Sequence, residues 1–323
     1  MPAINPLKSP QGADLPRSSV EKSLKKAEEL LASTYKDGFW SYKEGNSPCI
    51  EPTAFCSLAM RTDDKMRSSV IDFLTTNQNL DGGWSSSPGT GQSDWTTSLA
   101  LLALRNLSIQ SKTELKVQPS VDKAVTYLLD VRSEFYGFLA QALLYIWKGR
   151  EGLMYTRGWP WSKGCFHWVE PTSYSLMALK IPTTLQRDEM VEVLKRADGF
   201  ILEHACKDGG WNHGNDRTLG FDQPAYVVTS AEALVALQNH RGEEKITHAL
   251  SSLKTSLGYG RSALSLAWVT IARHWCCDDT SETVRLLIER QEKDGSFGPN
   301  LMVTGLSMLA LQSHLGDNIF KAR

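Results

Sequence analysis

The sequence lacks the features that mark membrane-spanning, secreted or nucleic-acid-binding proteins. Its 35 Lys and Arg nearly balance its 36 Asp and Glu, and no basic cluster predicts a nucleic-acid partner. The longest mostly apolar run, Phe135–Trp147, is shorter than the about 20 residues that a membrane-spanning helix needs. The six cysteines have no spacing typical of a disulfide framework. We therefore expect a cytoplasmic protein with reduced thiols, although contact with a membrane surface stays open.

Tryptophan and Asp-Gly turns, in contrast, are abundant. Ten tryptophans occur among 323 residues, and several lie next to glycine. Asp-Gly recurs four times with an aromatic residue three positions after the Asp, and Gly158–Trp161 is a degenerate fifth copy. The four aromatic residues are Trp40, Trp84, Trp211 and Phe297. Because Gly tolerates positive φ and Asp bonds its own backbone, each Asp-Gly predicts a tight turn.

An Ala- and Leu-rich stretch follows each turn and begins at a threonine. These threonines are Thr53, Thr96, Thr172, Thr229 and Thr304, separated by 43, 76, 57 and 75 residues. The two long intervals are close to twice a unit of about 38 residues, so each can hold a copy with a decayed loop, near 133–147 and 258–274. Amphipathic stretches, with apolar residues at i, i+3, i+4 and i+7, fill the other half of each unit.

The repeats predict an all-α fold. Each unit pairs a charged surface helix with a more apolar helix, and about six pairs can stack with the apolar helices inside. We expect residues 1–18 to be a flexible tail and residues 19–323 to be a single domain. A closed ring and an open solenoid both remain compatible with the repeats.

The segment Asn77–Trp84 resembles the Gln…Gly-x-Trp repeat of squalene cyclases and of protein prenyltransferase β subunits. A second copy, Gln291–Phe297, has Phe for Trp, and a third, Lys207–Trp211, lacks the Gln. The resemblance covers the chain from about residue 19 to 315. It implies an α/α toroid (barrel) whose central cavity holds a polyprenyl chain in relatives. We interpret the Gly-Trp loops as structural, since one fold supports several functions.

Three carboxylates stand two residues before the repeated threonines: Glu51, Asp94 and Glu170. The squalene-type cyclases that the sequence resembles carry an Asp-x-Asp-Asp-Thr motif here, whose middle Asp protonates the alkene. Aligned on Thr96, this sequence keeps only that middle residue, as Asp94. We predict all three carboxylates as catalytic acids at one mouth of the ring. Acidic residues also favour the first turn of any helix, so a capping role stays open.

Aromatic residues crowd the same positions and predict the walls of a substrate cavity, because aromatic faces stabilise cations. The predicted substrate-binding residues are Trp95, Trp159, Trp161, Phe166, His167, Trp168, Phe221, Tyr226 and Trp268. The loop Trp159–Trp168 reads as a lid or a cavity wall. Ordinary packing is the alternative for each single residue.

No metal and no cofactor are predicted. His274–Asp279 groups metal-ligand types, but the adjacent Cys276 and Cys277 have poor spacing for chelation. The zinc ligands that a prenyltransferase resemblance would imply, after Gly260-Arg261 and before Thr304, are missing.

Three hypotheses follow, and an enzyme is favoured. The first is a terpene-cyclase-like isomerase or lyase that binds an isoprenoid-like small molecule and protonates it with a carboxylic acid. The second is a non-catalytic toroid that binds lipid or protein. The third is another lyase or transferase on the same fold, such as a polysaccharide-active enzyme with paired carboxylates and an aromatic platform.

Overall fold

The computed structural model describes residues 15–60, 64–133, 142–143, 145–146, 158–181, 188–256, 262–317 and 319–320. Twelve α-helices can be delimited within these ranges. They are α1 (Arg17–Thr34), α2 (Ile50–Ala59), α3 (Asp64–Thr76), α4 (Thr96–Ser111), α5 (Glu114–Ser133), α6 (Val169–Leu179), α7 (Asp188–Glu203), α8 (Val227–Ala236), α9 (Glu244–Ser256), α10 (Ala263–Trp275), α11 (Ser281–Ile288) and α12 (Leu301–His314).

Two short antiparallel ribbons interrupt the helices. In the first, β1 (Trp159–Pro160) pairs with β2 (His167–Trp168), so that Trp159 lies opposite Trp168. In the second, β3 (Arg217–Thr218) pairs with β4 (Phe221–Asp222). A 3-10 turn, Gln238–His240, follows α8. Both ribbons lie in the loops that precede inner helices, α6 and α8.

The even-numbered helices form a closed inner ring. Each of α2, α4, α6, α8, α10 and α12 packs against the next, and α12 packs against α2. The odd-numbered helices pack outside them, with their polar faces exposed. All eleven residues of α6 are buried, as expected for a helix covered on every side. The described residues therefore confirm an α/α toroid of six helix pairs and show that the ring is closed.

The two predicted hidden copies have different outcomes. The stretch 258–274 supplies the inner helix α10, as its interval predicted. Most of the stretch 133–147 lies outside the described residues, and α4 packs directly against α6. Residues 1–14 of the predicted tail also lie outside them. No helix of the described chain is long and apolar enough to cross a membrane.

The repeated tryptophans join each outer helix to its inner partner. The indole N–H of Trp40, Trp84, Trp159 and Trp211 donates to a backbone carbonyl of the preceding outer helix, at 2.7 to 2.8 Å. The backbone N–H of each repeat aromatic donates to a hydroxyl of the following inner helix. These hydroxyls belong to Thr53, Thr97, Thr172, Ser230 and, after Phe297, Thr304. The loops are therefore structural, as interpreted.

The Asp-Gly turns and the Gln residues join each unit to the next. Gly82 has φ +91°, and a Cβ there would lie 2.5 Å from the carbonyl oxygen of Lys123 on the neighbouring outer helix α5. A Cβ on Gly295 would likewise clash with the carbonyl oxygen of Lys26 on α1. The amide of Gln291 donates to the carbonyl of Ser23 at 2.9 Å. Contacts of the last unit with α1 thus close the outer layer.

At the end of the ring where the inner helices finish, long polar side chains cross between neighbours. We call this the stapled end, defined by Arg105, Lys180 and Gln312. These side chains donate to the carbonyls of Ala178, Ala236 and Ala59 at 2.6, 2.7 and 2.8 Å. Each bond satisfies a carbonyl that the last turn of a helix leaves without an intrahelical partner.

Candidate active site

The other end of the ring, where the inner helices begin, carries the carboxylates. We call it the site end, defined by Glu51, Asp94, Glu170 and Glu232. Two hydrogen bonds join α6 to α8 here. Thr229 Oγ1 donates to Glu170 Oε1 at 2.8 Å, and Tyr174 Oη donates to Glu232 Oε1 at 2.6 Å. Glu170 and Tyr174 are four residues apart on α6 and Thr229 and Glu232 three apart on α8, so the bonds stack one helical turn apart.

Glu232 is a carboxyl in an apolar helix, and only 2% of its surface is exposed. The pKa of Glu232 is raised to about 8, mainly by burial and also by the nearby carboxyls of Glu170 and Glu51, while the Tyr174 hydrogen bond opposes the rise. Burial, together with Glu232, also raises the pKa of Tyr174 well above its ordinary value. We therefore expect Glu232 to hold a proton at neutral pH. Its Oε2 atom has no hydrogen-bond partner within the protein.

Glu170 connects this pair to the mouth. Its Oε1 atom also meets His213 Nδ1, while its Oε2 atom is buried without a partner in the protein. The loop carrying His213 is held by Asn212, whose Oδ1 accepts from the backbone of Gly214 at 3.0 Å and of Asn215 at 2.9 Å. The His213 ring is half exposed, so Glu170 lies between the solvent-facing rim and the interior.

Glu51 forms a second carboxyl–tyrosine pair. Tyr42 donates its hydroxyl to Glu51 Oε2. Burial raises the pKa of Glu51, with a further contribution from Asp94 and an opposing one from the Tyr42 hydrogen bond. Burial and the Glu51 charge raise the pKa of Tyr42. Both tyrosines thus act as neutral donors to carboxyl groups.

Asp94 has the geometry of a helix cap. Its Oδ1 accepts from the backbone and hydroxyl of Thr96 at 2.8 and 2.7 Å, and its Oδ2 accepts from those of Ser86 at 3.0 and 2.6 Å. The hydroxyl equivalent to Thr53 and Thr172 is that of Thr97, because it alone in α4 bonds the repeat tryptophan. The alignment on Thr96 is therefore off by one residue, and Trp95, not Asp94, shares the column of Glu51 and Glu170.

Three of the predicted aromatics form, together with Tyr174, a row that crosses the ring. Trp161 meets Trp95 edge to face with ring centroids 5.0 Å apart, and Trp95 lies 5.4 Å from Tyr174. Tyr174 lies 6.1 Å from Trp268, which is only 1% exposed. Tyr174 is the member that sequence reasoning did not include. The row leads from the partly exposed rim at Trp161 to the buried centre.

A second aromatic group stands around His213. The ring centroid of Tyr226 is 5.0 Å from the His213 ring, and that of Trp168 is 5.6 Å away. Tyr226 is 45% exposed. Trp168, His213 and Tyr226 together form an aromatic rim, and its member His213 bonds Glu170.

The other predicted aromatics lie elsewhere. Trp159 occupies the repeat position, and its two N–H groups bond Leu128 and Thr172. His167 is buried against Phe200 of the outer helix α7, with ring centroids 6.5 Å apart. Phe166 and Phe221 are 59% and 74% exposed on the two ribbon loops. These four positions are explained by packing or by surface exposure rather than by contact with the carboxylates.

Glu232 is the principal site residue that sequence reasoning missed. The signal was present, because a carboxyl in the apolar helix VVTSAEALVA is unusual: Glu is almost never fully buried without a partner. It was overlooked because it lies five residues beyond the column of first-turn positions. Within the described ranges, no group of three or more His, Cys, Asp and Glu side chains is placed to hold a metal ion.

No family model and no curated protein sequence matches the chain significantly. Among solved structures, a protein from Actinoplanes aligns at a TM-score of 0.62 and 15% identity, over 92% of this chain and 99% of that one. A glycosidase variant in complex with glucose aligns at 0.60 and 11% identity, over 93% and 98%. A type II terpene cyclase from Scytonema in complex with geranylgeranyl dihydroxybenzoate aligns at 0.42 and 11%, over 93% and 98%. The first two likenesses show that the toroid fold extends over nearly the whole chain.

Proposed function

We propose that the site end hydrolyses a glycosidic bond, with Glu232 as the general acid and Glu170 as its carboxylate partner. The stacked pairs Thr229–Glu170 and Tyr174–Glu232 carry this proposal. They hold two carboxyl groups about one helical turn apart, each with one oxygen free of protein partners. Glycosidases use such a pair, one protonated and one not.

The acid strength of Glu232 favours this reaction over alkene protonation. A pKa of about 8 keeps the proton on the carboxyl at neutral pH, which a general acid requires. Glu232 Oε2 would transfer that proton to the glycosidic oxygen as the bond to the anomeric carbon breaks. The Glu170 carboxylate would stabilise the positive charge that develops on that carbon, and water would complete the hydrolysis. An alkene is a much weaker base than an ether oxygen and needs a stronger acid.

The aromatic rim of Trp168, His213 and Tyr226 supports the same substrate class. Flat apolar rings beside polar groups suit the faces and hydroxyls of a sugar. The shared fold includes a glycosidase bound to glucose, which adds to this support but says nothing of these side chains.

The test is a hydrolysis screen with a set of α- and β-linked oligosaccharides, followed by product analysis. We expect Glu232→Gln and Glu170→Gln to lower the rate by about 10²- to 10⁴-fold, because each removes one half of the acid–base pair. The variant Glu289→Gln makes the same side-chain change at the exposed C-terminal end of α11 and should retain the wild-type rate. Hydrolysis that is unchanged in Glu232→Gln would remove Glu232 from the mechanism.

A terpene-cyclase-like reaction is the second candidate, and the row Trp161–Trp95–Tyr174–Trp268 favours it. Such a row presents several aromatic faces to a cation, each of which stabilises it by about 1–2 kcal/mol when water is excluded. An isoprenoid-like substrate would lie along the row, and Asp94, Glu51 or Glu170 would supply the proton.

Incubation with farnesyl and geranylgeranyl diphosphate, squalene and their epoxides tests this candidate. A cyclised product that disappears in Asp94→Asn or Glu51→Gln would establish it. Turnover of neither the saccharides nor the isoprenoids by the folded protein would leave a non-catalytic binding toroid.

A further inference from the structure

Two carboxyl oxygens at the site end lie buried without a hydrogen-bond partner in the protein. They are Glu170 Oε2 and Glu232 Oε2, on residues that are 6% and 2% exposed. Buried polar atoms are nearly always satisfied: a carboxylate oxygen by a donor, and the O–H of a protonated carboxyl by an acceptor. Glu170 Oε2 therefore marks a place where a ligand donates a hydrogen bond, and Glu232 Oε2 a place where a ligand accepts one.

The charges around these atoms are unbalanced. The carboxyls of Glu170 and Glu51 lie close enough to Glu232 to raise its pKa. The hydrogen-bond partners of Glu232 and Glu51 are neutral tyrosines, which bring no positive charge. The basic groups at this end, among the described contacts, are His213 on Glu170 and the exposed Lys163, which lines a small pocket with Asp94. No arginine or lysine is bonded to Glu51, Glu170 or Glu232 among these contacts. Elsewhere in the ring, the buried Asp198 has a lysine partner at 2.7 Å.

Buried carboxylates need a cation, a metal or a proton to compensate their charge. The described residues place no three metal-ligating side chains together, so the residues do not favour a metal ion. An organic ammonium fits better, because its N–H groups reach carboxyl oxygens and its charge suits the aromatic rim of Trp168 and Tyr226.

We propose that the substrate of this site carries a protonated amine that donates to Glu170 Oε2, as in an oligosaccharide of 2-amino-2-deoxy sugars. The ammonium supplies a positive charge that no arginine or lysine supplies to these carboxyls among the described contacts, while Glu232 keeps its proton for the acid step. The saccharide part of this proposal rests on the proposed function, whereas the ammonium part rests on the unpartnered oxygens.

Isothermal titration calorimetry on the full chain tests the proposal with three tetrasaccharides: a glucosamine tetramer, its N-acetylated form and cellotetraose. The Glu232→Gln variant prevents turnover during the titration. We expect the glucosamine tetramer to bind at least about tenfold more tightly than the two neutral tetramers, as a charge-assisted hydrogen bond predicts. Adding Glu170→Gln should abolish that preference, and adding Glu289→Gln, at the exposed residue that follows α11, should leave it intact.

Equal or weaker binding of the glucosamine tetramer, or none, would overturn the proposal, as would a preference that survives Glu170→Gln in a protein whose circular dichroism shows it folded. Hydrolysis by the wild type separates this proposal from the proposed function. If the protein cleaves neutral saccharides and shows no preference for the amine, the proposed hydrolysis stands and the proposed ammonium site is rejected. If it binds the amine selectively but cleaves nothing, the ammonium site stands and the proposed hydrolysis is rejected.

Discussion

The buried charged groups at one end of the ring are fully bonded, whereas the buried carboxyls at the other end keep oxygens without partners in the protein. At the stapled end, Lys180 donates to Asp198 and to the carbonyl of Ala236, both at 2.7 Å, and Asp198 also meets His240 at 3.2 Å. At the site end, Glu170 and Glu232 each keep one buried oxygen without a partner in the protein. Glu170 lies on α6 and Glu232 on α8, whereas Lys180 directly follows α6 and Asp198 lies on the outer helix α7.

This contrast separates stability from function between the two ends of the ring. A buried ion pair that is fully bonded holds its helices together, and breaking it leaves an uncompensated charge. Buried carboxyls without compensation instead cost stability, which is typical of functional sites. We therefore propose that the stapled end stabilises the fold and that the site end binds and converts the substrate.

The largest change in stability is expected at the stapled end, from Lys180→Met. It leaves Asp198 buried without its lysine and should lower the free energy of unfolding by about 3–5 kcal/mol. Chemical denaturation measures this. Lys116→Met is the control, because it breaks the exposed pair with Asp72 and should cost no more than about 1 kcal/mol. Equal losses in the two variants would contradict the assignment of structure to the buried pair.

At the site end, Glu232→Gln should have the opposite effect, and the effect should depend on pH. The pKa of Glu232 rises from its ordinary 4.5 to about 8 on folding, so the folded state holds a proton that the unfolded state lacks between these values. Wild-type stability therefore falls as pH rises across this window, by about 1.4 kcal/mol per pH unit from this group. Glutamine removes that loss.

Thermal unfolding of the wild type and of Glu232→Gln at pH 5 to 9 measures the difference. The difference in unfolding temperature between the variant and the wild type should grow in favour of the variant as pH rises towards 8. Above pH 8 this difference should stay constant. If the unfolding temperatures of the two proteins depend on pH in the same way, folding does not raise the pKa of Glu232.

A smaller effect is expected from Gln312→Ala at the stapled end. The variant removes the bond that joins α12 to α2, at the carbonyl of Ala59, and leaves that carbonyl without its side-chain donor. We expect a loss of about 1–3 kcal/mol in the free energy of unfolding. Ligand binding at the site end should be unchanged, and a change in it would show that the two ends are coupled.

The smallest effect is expected from Asp94→Asn. Asparagine keeps an acceptor for Thr96 but loses the charge and one acceptor for Ser86, so we expect a loss of about 1 kcal/mol with saccharide hydrolysis retained. Loss of activity in the folded variant would restore Asp94 as a catalytic residue.

Much of the fold could be predicted from the sequence because the same helix-joining residues recur in each unit. The tryptophans, Asp-Gly turns and hydroxyls repeat along the chain, and each marks a contact that every unit makes. Ring closure could not be predicted, since it depends on contacts between distant units, such as Gln291 with Ser23 and Gln312 with Ala59. Apolar periodicity carries no information about which units meet at the end.

The site was predicted in part. Glu51 and Glu170 were found because first-turn positions repeat, and both lie in the first turn of an inner helix. Asp94 was aligned one residue out, because Thr96 and Thr97 are adjacent and only the hydrogen bond to Trp84 tells them apart. Glu232 was missed because its role depends on Tyr174, 58 residues earlier in the chain.

The protonation state of Glu232 is the measurement that tests this account most directly. Infrared difference spectra of the wild type against Glu232→Gln, recorded from pH 5 to 10, report the carbonyl stretch of a protonated carboxyl. We predict a band that is present at pH 7, absent from the variant, and lost with a midpoint near pH 8. Absence of such a band from pH 6 upwards would show an ionised Glu232 at neutral pH and contradict its role as the general acid.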